Sequence, residues 1–285
     1  MKISLEIYTL ANRFGDFKAV EMAKEAGFDA IDYSYYYGRE CDEILGDNYR
    51  EYAKAMRAKL DEIGMECNQA HAPFTLKFGT AYDSSNEKYL NITRAIESAA
   101  ILGAKNIVVH SLTVTDGADF VESNVEFYKS FIPYCEKYEI CVAVENLFFR
   151  DTKRKRLGAK LGSPQELNSI IEIINSPWIV ACVDVGHAAL TGYEPEKFIE
   201  GMKTEYLKCL HVQDNDYLED RHVLPYSGDL NWNAIMTALK KNGYCGDLTF
   251  EIVSHIERFP NELIPDFLKF TNTIGKHLVS IFEKA

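Results

Sequence analysis

CVDVGHAALTGYE, residues 182–194, opens with an apolar run that stops on Asp184 and sets His187 three residues further on. A short apolar run bounded this way reads as a buried strand. A buried strand that ends on a carboxylate and an imidazole needs a reason, because both groups lose hydration when covered.

The same shape recurs on both sides. Strand candidates are ISLEIY (3–8), AIDYS (30–34), ECNQA (66–70), NIVVH (106–110), CVAVE (141–145), VACVD (180–184), CLHVQ (209–213) and LTFEI (248–252). Between them lie segments of helical period, such as FKAVEMAKEAG (17–27), YREYAKAMRAKLDEIG (49–64), EKYLNITRAIESAAILG (87–103) and NAIMTALKKNG (233–243), each closing on a glycine suited to a left-handed cap. SPQEL (163–167) spells a helix start, with Ser163 as N-cap, Pro164 at the first position and Glu166 at the third. Strand–helix alternation implies parallel strands joined by right-handed crossovers, and eight such units in 285 residues fit a closed (β/α)8 barrel better than an open sheet. No linker or low-complexity tract interrupts the pattern, so one domain is expected over 1–285.

Composition narrows the class. Hydrophobic residues are 47% and aromatics 12% of the chain, enough for a sizeable core. A formal net charge of −12 repels nucleic acid and anionic membranes at long range, although a local patch such as RDTKRKR (150–156) could act against it. MKISLEIYTL (1–10) reads as an alternating strand rather than a leader, no run of about 18 apolar residues occurs, and the seven cysteines form no CxxC pair, so a soluble, unexported chain with free thiols in the reducing cytoplasm is expected. A homo-oligomer is compatible with all of this.

Active sites of (β/α)8 barrels lie at the carboxyl ends of the strands. Strand three runs into His71, strand four ends on His110, five on Glu145 and six on Asp184, while seven carries His211 and eight Glu251. Acids number 43 and histidines 7, so six successive hits by chance have odds on the order of one in tens of thousands, before discounting freedom in choosing strand ends. Any one of them alone reads as well as a satisfied core histidine or an ordinary rim carboxylate; the recurrence carries the signal. Carboxylates and imidazoles converging from several strands suit a divalent metal, each supplying one oxygen or nitrogen donor. His277 shares no strand end and stays outside the set.

Seven segments together carry a family resemblance: AHAPF (70–74), VVHSL (108–112), VAVENLF (142–148), CVDVGHAALTGYE (182–194), LHVQDND (210–216), DRHVLPYSGDLNW (220–232) and GYCGDLTFEIV (243–253). The chain resembles the xylose-isomerase-like TIM barrels, which include sugar isomerases and epimerases of the D-tagatose 3-epimerase type and endonuclease IV. The resemblance implies metal ligation by Glu145, Asp184, His211 and Glu251, with the same two glutamates exchanging a proton beside a carbonyl through an enediol-type intermediate. It places His187 on a substrate oxygen, and His71, His110, Asp220, Arg221 and His222 with the substrate. The implied cofactor is a divalent metal (Mn, Mg, Co or Zn) and the implied partner a small sugar.

Endonuclease IV stays open as an alternative, since two histidines before the shared glutamate and a late DxH pair are present here as His71, His110, Asp220 and His222. Against it, PYSGD carries one glycine, Gly228, where the nuclease form has Gly-x-Gly. An inosose-type dehydratase would use the same acidified C–H and expel hydroxide. Tyr33, Tyr35, Tyr36 and Tyr37 follow strand two, where they either pack within their loop or offer rings to a sugar or base. RDTKRKR follows strand five as a solvated loop, a grip on a substrate phosphate or carboxylate, or a phosphodiester track. No Gly-rich phosphate loop follows strands seven or eight.

Overall fold

The structure is a computed structural model that describes residues 1–36, 43–74, 86–114, 119–151 and 156–285. Its strands are β1 (Ile3–Glu6), β2 (Ala30–Ser34), β3 (Glu66–His71), β4 (Asn106–Val109), β5 (Cys141–Glu145), β6 (Leu147–Asp151), β7 (Arg156–Lys160), β8 (Ile179–Asp184), β9 (Leu207–His211) and β10 (Leu248–Phe250). Eight of them form one parallel sheet in the order β10-β1-β2-β3-β4-β5-β8-β9. The ring closes between β9 and β10, where the Val212 amide donates to the Thr249 carbonyl at 2.8 Å and the Glu251 amide to the Val212 carbonyl at 3.0 Å. The (β/α)8 barrel expected from the alternation is therefore the fold.

The helices form for the reasons their sequences suggest. Pro164–Ile174 begins on a capping box, the Ser163 hydroxyl accepting from the Glu166 amide while the Glu166 carboxylate accepts from the Ser163 amide. Its buried residues Leu167, Ile170, Ile171 and Ile174 follow the helical period, each contributing roughly 1.5–3 kcal/mol by leaving water. Glu87–Leu102 stops at Gly103, whose φ of 96° a side chain would resist and whose amide donates back to Ala99 and Ala100.

Strand parity then sorts the side chains. Alternate residues face opposite sides of a strand, so Val142 and Val144 meet the helices while Ala143, with Val108, Val180, Cys182 and Cys209, forms a separate small core. One step further along the same face come His110, Glu145, Asp184 and His211. The barrel interior is thus plugged by small apolar groups below, with these acids and imidazoles seated one layer above them.

Two details differ from the sequence reading. The seventh barrel strand, β9, begins two residues before the segment 209–213, because the exposed Lys208 interrupts its apolar run. An extra antiparallel hairpin, β6–β7, follows β5, with Leu147 opposite Lys160 and Arg150 opposite Leu157. It occupies the stretch read as a charged loop, of which residues 152–155 lie outside the described residues. All six cysteines among the described residues are free thiols. No helix among these residues is long and apolar enough to cross a membrane.

Candidate metal centre

Glu145, Asp184, His211 and Glu251 arrive at one point from β5, β8, β9 and the end of β10. One ligand atom from each lies within 4.8 Å of the others, and none of the four residues is more than 6% exposed. His211 donates from Nδ1 to Glu145 Oε1 at 2.8 Å and lies 3.3 Å from Glu251 Oε2. Its other nitrogen faces Asp32 Oδ2 at 3.5 Å, and Gln69 donates to that same Asp32 oxygen at 2.7 Å. A carboxylate behind a ligating imidazole fixes its ring and raises its basicity. The Tyr36 hydroxyl donates to Glu251 Oε1 at 2.6 Å, leaving Oε2 buried and without a hydrogen bond.

Two more clusters adjoin this one. His71, His110 and Glu145 form the first, with His110 Nε2 at 2.8 Å from Glu145 Oε2 and His71 Nε2 at 3.1 Å from His110 Nε2. His71 is held by its other nitrogen, which donates to the Ala72 carbonyl at 2.8 Å. His187, Asp220 and His222 form the second. His187 Nδ1 donates to the Asn146 carbonyl at 3.0 Å and its Nε2 lies 3.7 Å from Asp220; His222 Nε2 reaches Asp220 at 3.1 Å. His222 takes a left-handed φ of 41° and is held there by its amide on Gln213 and its Nδ1 on the Glu251 carbonyl.

Gln213 ties the clusters together, donating to Asp220 at 2.9 Å and to Asp184 at 3.4 Å. Gly186 makes room for it, since a β-carbon there would stand 2.4 Å from the Gln213 side chain. Asp184 also caps the short helix after β8 by accepting from the His187 amide at 2.7 Å. The step of three residues from Asp184 to His187 is what a carboxylate capping its own helix requires. Asp214, by contrast, is spent on structure, accepting from Trp232 Nε1 and the amides of Asn215, Tyr226 and Leu230. That anchor holds the loop presenting Asp220 and His222.

Burial and charge pull these groups in opposite directions. Burial alone would raise Glu145 and Glu251, but His211 and the other nearby imidazoles outweigh it and hold both carboxyls below their usual range. Burial prevails at Asp184, which is raised to about 6. His211 and His222 would be lowered by burial, yet the facing carboxylates raise both, His222 to about 10. His110 is lowered by burial, only partly offset by Glu145. The cluster draws positive charge inward. Three carboxylates and one imidazole around the unsatisfied Glu251 oxygen suit a hard or borderline divalent cation.

Five of the chain's seven histidines therefore gather at one rim. Arg221 does not join them; it is half-exposed and turns to Asp216 at 3.4 Å. His277 lies beside Tyr226 on the last helix. Of the four tyrosines read as following the second strand, Tyr33 lies within β2 and bonds Asp16, Tyr35 bonds Ser98 within the wall, Tyr36 reaches the cleft, and Tyr37 lies outside the described residues. Asp32, Gln213 and Asn146 escaped the sequence reading, and the polar centre of AIDYS was the available signal for Asp32. The cleft above the cluster encloses about 440 Å³ and has an aromatic side made by Tyr8, Tyr36, Phe74 and Phe148.

A barrel with this site at its carboxyl rim falls in a defined class: the chain belongs to the xylose isomerase-like TIM barrel family, whose profile matches residues 20–273. L-ribulose-5-phosphate 3-epimerase UlaE from Salmonella heidelberg is 24% identical over 271 residues, 91% of this chain and 90% of its own length. A solved D-tagatose 3-epimerase-like protein superposes with a TM-score of 0.78 at 21% identity, covering 100% of this chain and 99% of that one. The IOLI protein, solved with a bound zinc atom, gives 0.69 at 17% identity over 100% and 99%.

Proposed function

We propose that the protein is a divalent-metal-dependent isomerase or epimerase of a sugar or polyol-derived ketose. The observation that carries this reading is the convergence of Glu145, Asp184, His211 and Glu251 with ligand atoms inside 4.8 Å at the floor of a sugar-sized cleft. The names of the similar proteins, epimerases of ketoses, support the same substrate class. A cation held by these four residues would polarise a ketose carbonyl and hydroxyl and so acidify the C–H beside them. Glu145 and Glu251 then take and return the proton at that carbon. Tyr36 occupies Glu251 Oε1, which leaves Oε2 to the cluster of donors. His187, fixed by the Asn146 carbonyl, holds a substrate oxygen, and His71, His110, Asp220 and His222 bind the remaining hydroxyls. Arg221 would join them only by leaving Asp216.

The test is wash-out of deuterium from ketoses labelled at the reacting carbon, with Mn²⁺, Mg²⁺, Co²⁺ or Zn²⁺ supplied. Metal-dependent exchange is expected. Absence of exchange across a broad panel of ketoses and inososes would end the reading.

A second reading, an endonuclease IV-like phosphodiesterase at abasic DNA, is favoured by one observation. His71, His110 and Glu145, and separately His187, Asp220 and His222, form ligand-type clusters beside the first. Metal content separates the two: one ion per chain supports the sugar enzyme, whereas three ions with nicking of an abasic duplex support the nuclease.

A further inference from the structure

Beyond its acids and imidazoles, the cleft has one ammonium among its described lining residues. Lys160, at the end of β7, stands on the wall that also carries Ser111 and Thr113, and its Nζ donates to Thr113 Oγ1 at 2.7 Å. The side chain is half-buried, and burial alone lowers its pKa. No carboxylate among the described residues comes within ion-pair distance of it. The cleft's other rim charge outside the cluster, Glu257, follows β10, three strands away around the barrel.

An ammonium partly withdrawn from water and matched only by a neutral hydroxyl is destabilising unless a counter-ion arrives. In a chain of net charge −12, an ammonium without a carboxylate partner among the described residues is notable. A neutral sugar would leave the ammonium as it stands. An oxyanion would complete it, taking charge-assisted hydrogen bonds from Lys160 and a further bond from the Thr113 hydroxyl. We propose that Lys160 and Thr113 bind a terminal oxyanion of the substrate, a phosphate monoester or a carboxylate, so that the cleft takes an acidic sugar derivative with its charged end toward the β4–β7 side. This rests on the isomerase reading for the carbon that reacts, but not for the anion.

Because a polyol has no carbonyl to react, binding can be measured apart from turnover. Calorimetric titration of the metal-loaded protein with ribitol, ribitol 5-phosphate and ribonate is expected to show one anion, at least, bound roughly 10–100-fold more tightly than ribitol, the size usual for hydrogen bonds to charged groups. Which anion gains more distinguishes phosphate from carboxylate. Lys160→Met and Lys160→Gln should remove most of that preference while ribitol binding stays within a few-fold of wild type. Equal binding of all three ligands by the wild type overturns the proposal, as does a preference that survives both substitutions, since the metal alone would then explain it. If Lys160-dependent anion binding is found while no ketose or ketose phosphate exchanges deuterium, the isomerase reading fails and the oxyanion site stands.

Discussion

At the amino-terminal rim of the barrel Lys2 pairs with Glu66 at 2.5 Å, their side chains 48% and 59% exposed, and Asp247 accepts from the Lys2 amide and from Asn68. At the carboxyl-terminal rim Glu145, Asp184, His211 and Glu251 are almost wholly covered. The amino-terminal rim even has the larger cavity, about 660 Å³ against about 440 Å³. Volume therefore does not choose the site. Exposed pairs of opposite charge stay hydrated and contribute ~0–1 kcal/mol each, so the fold is nearly indifferent to them. Covered carboxylates facing one another resist folding unless a proton or cation joins them. Their presence at one rim marks the candidate site.

The sharpest way to break the contrast is Glu251→Gln, which keeps an oxygen donor but removes the carboxylate proposed as the base. At saturating metal, deuterium exchange is expected to fall ~10²–10⁴-fold, the usual worth of general base catalysis. Activity within a few-fold of wild type would remove Glu251 from the proton transfer.

Asp32→Asn probes the layer behind the candidate metal site. Weakening the carboxylate that faces His211 Nε2 should reduce metal affinity ~10–100-fold, measured by competition with a chromogenic chelator, with little change in exchange once metal saturates. An unchanged affinity would reduce Asp32 to a packing residue.

A third test uses a carboxylate on the outer wall. Burial would raise Glu97, but hydrogen bonds from Arg50, Tyr49 and Tyr138 overcome that and lower it to about 2. A carboxyl lowered on folding stabilises fully above its unfolded pKa, near 4.5, and that stabilisation is lost as pH falls from there toward about 2. Glu97→Gln should therefore cost about 1–2 kcal/mol at neutral pH, after allowing for screening of the half-exposed Arg50, with the difference shrinking below pH 4.5. Urea titrations at a series of pH values would show it; a difference independent of pH would contradict the linkage.

The smallest effect belongs to the amino-terminal rim. Glu66→Gln should change stability by less than about 1 kcal/mol and leave metal content and exchange untouched. A large loss of either would show that the two rims are coupled.

Much of this was legible in the chain itself. Apolar runs of strand length alternating with helical periods specify parallel strands and crossovers locally, and the strand-end acids and imidazoles from His71 to Glu251 could be read because each lies next to an apolar run in sequence. The hairpin β6–β7 could not, since its strands pair only with each other and its segment reads by composition as a charged loop. Asp32 left only the polar centre of AIDYS as a signal, and its role, like those of Gln213 and Lys160, comes from neighbours that the fold supplies: His211 for Asp32, Asp184 and Asp220 for Gln213, the Thr113 wall for Lys160. Arg221 sits between two residues of the site in sequence, yet faces Asp216. Hydrophobic period is a one-dimensional property set by which face of an element is covered, so the sequence determined the barrel and most of its converging donors. Which nitrogen of an imidazole faces which oxygen, and which hydroxyl meets the Lys160 ammonium, depends on distances across strands, and only the closed barrel decided those.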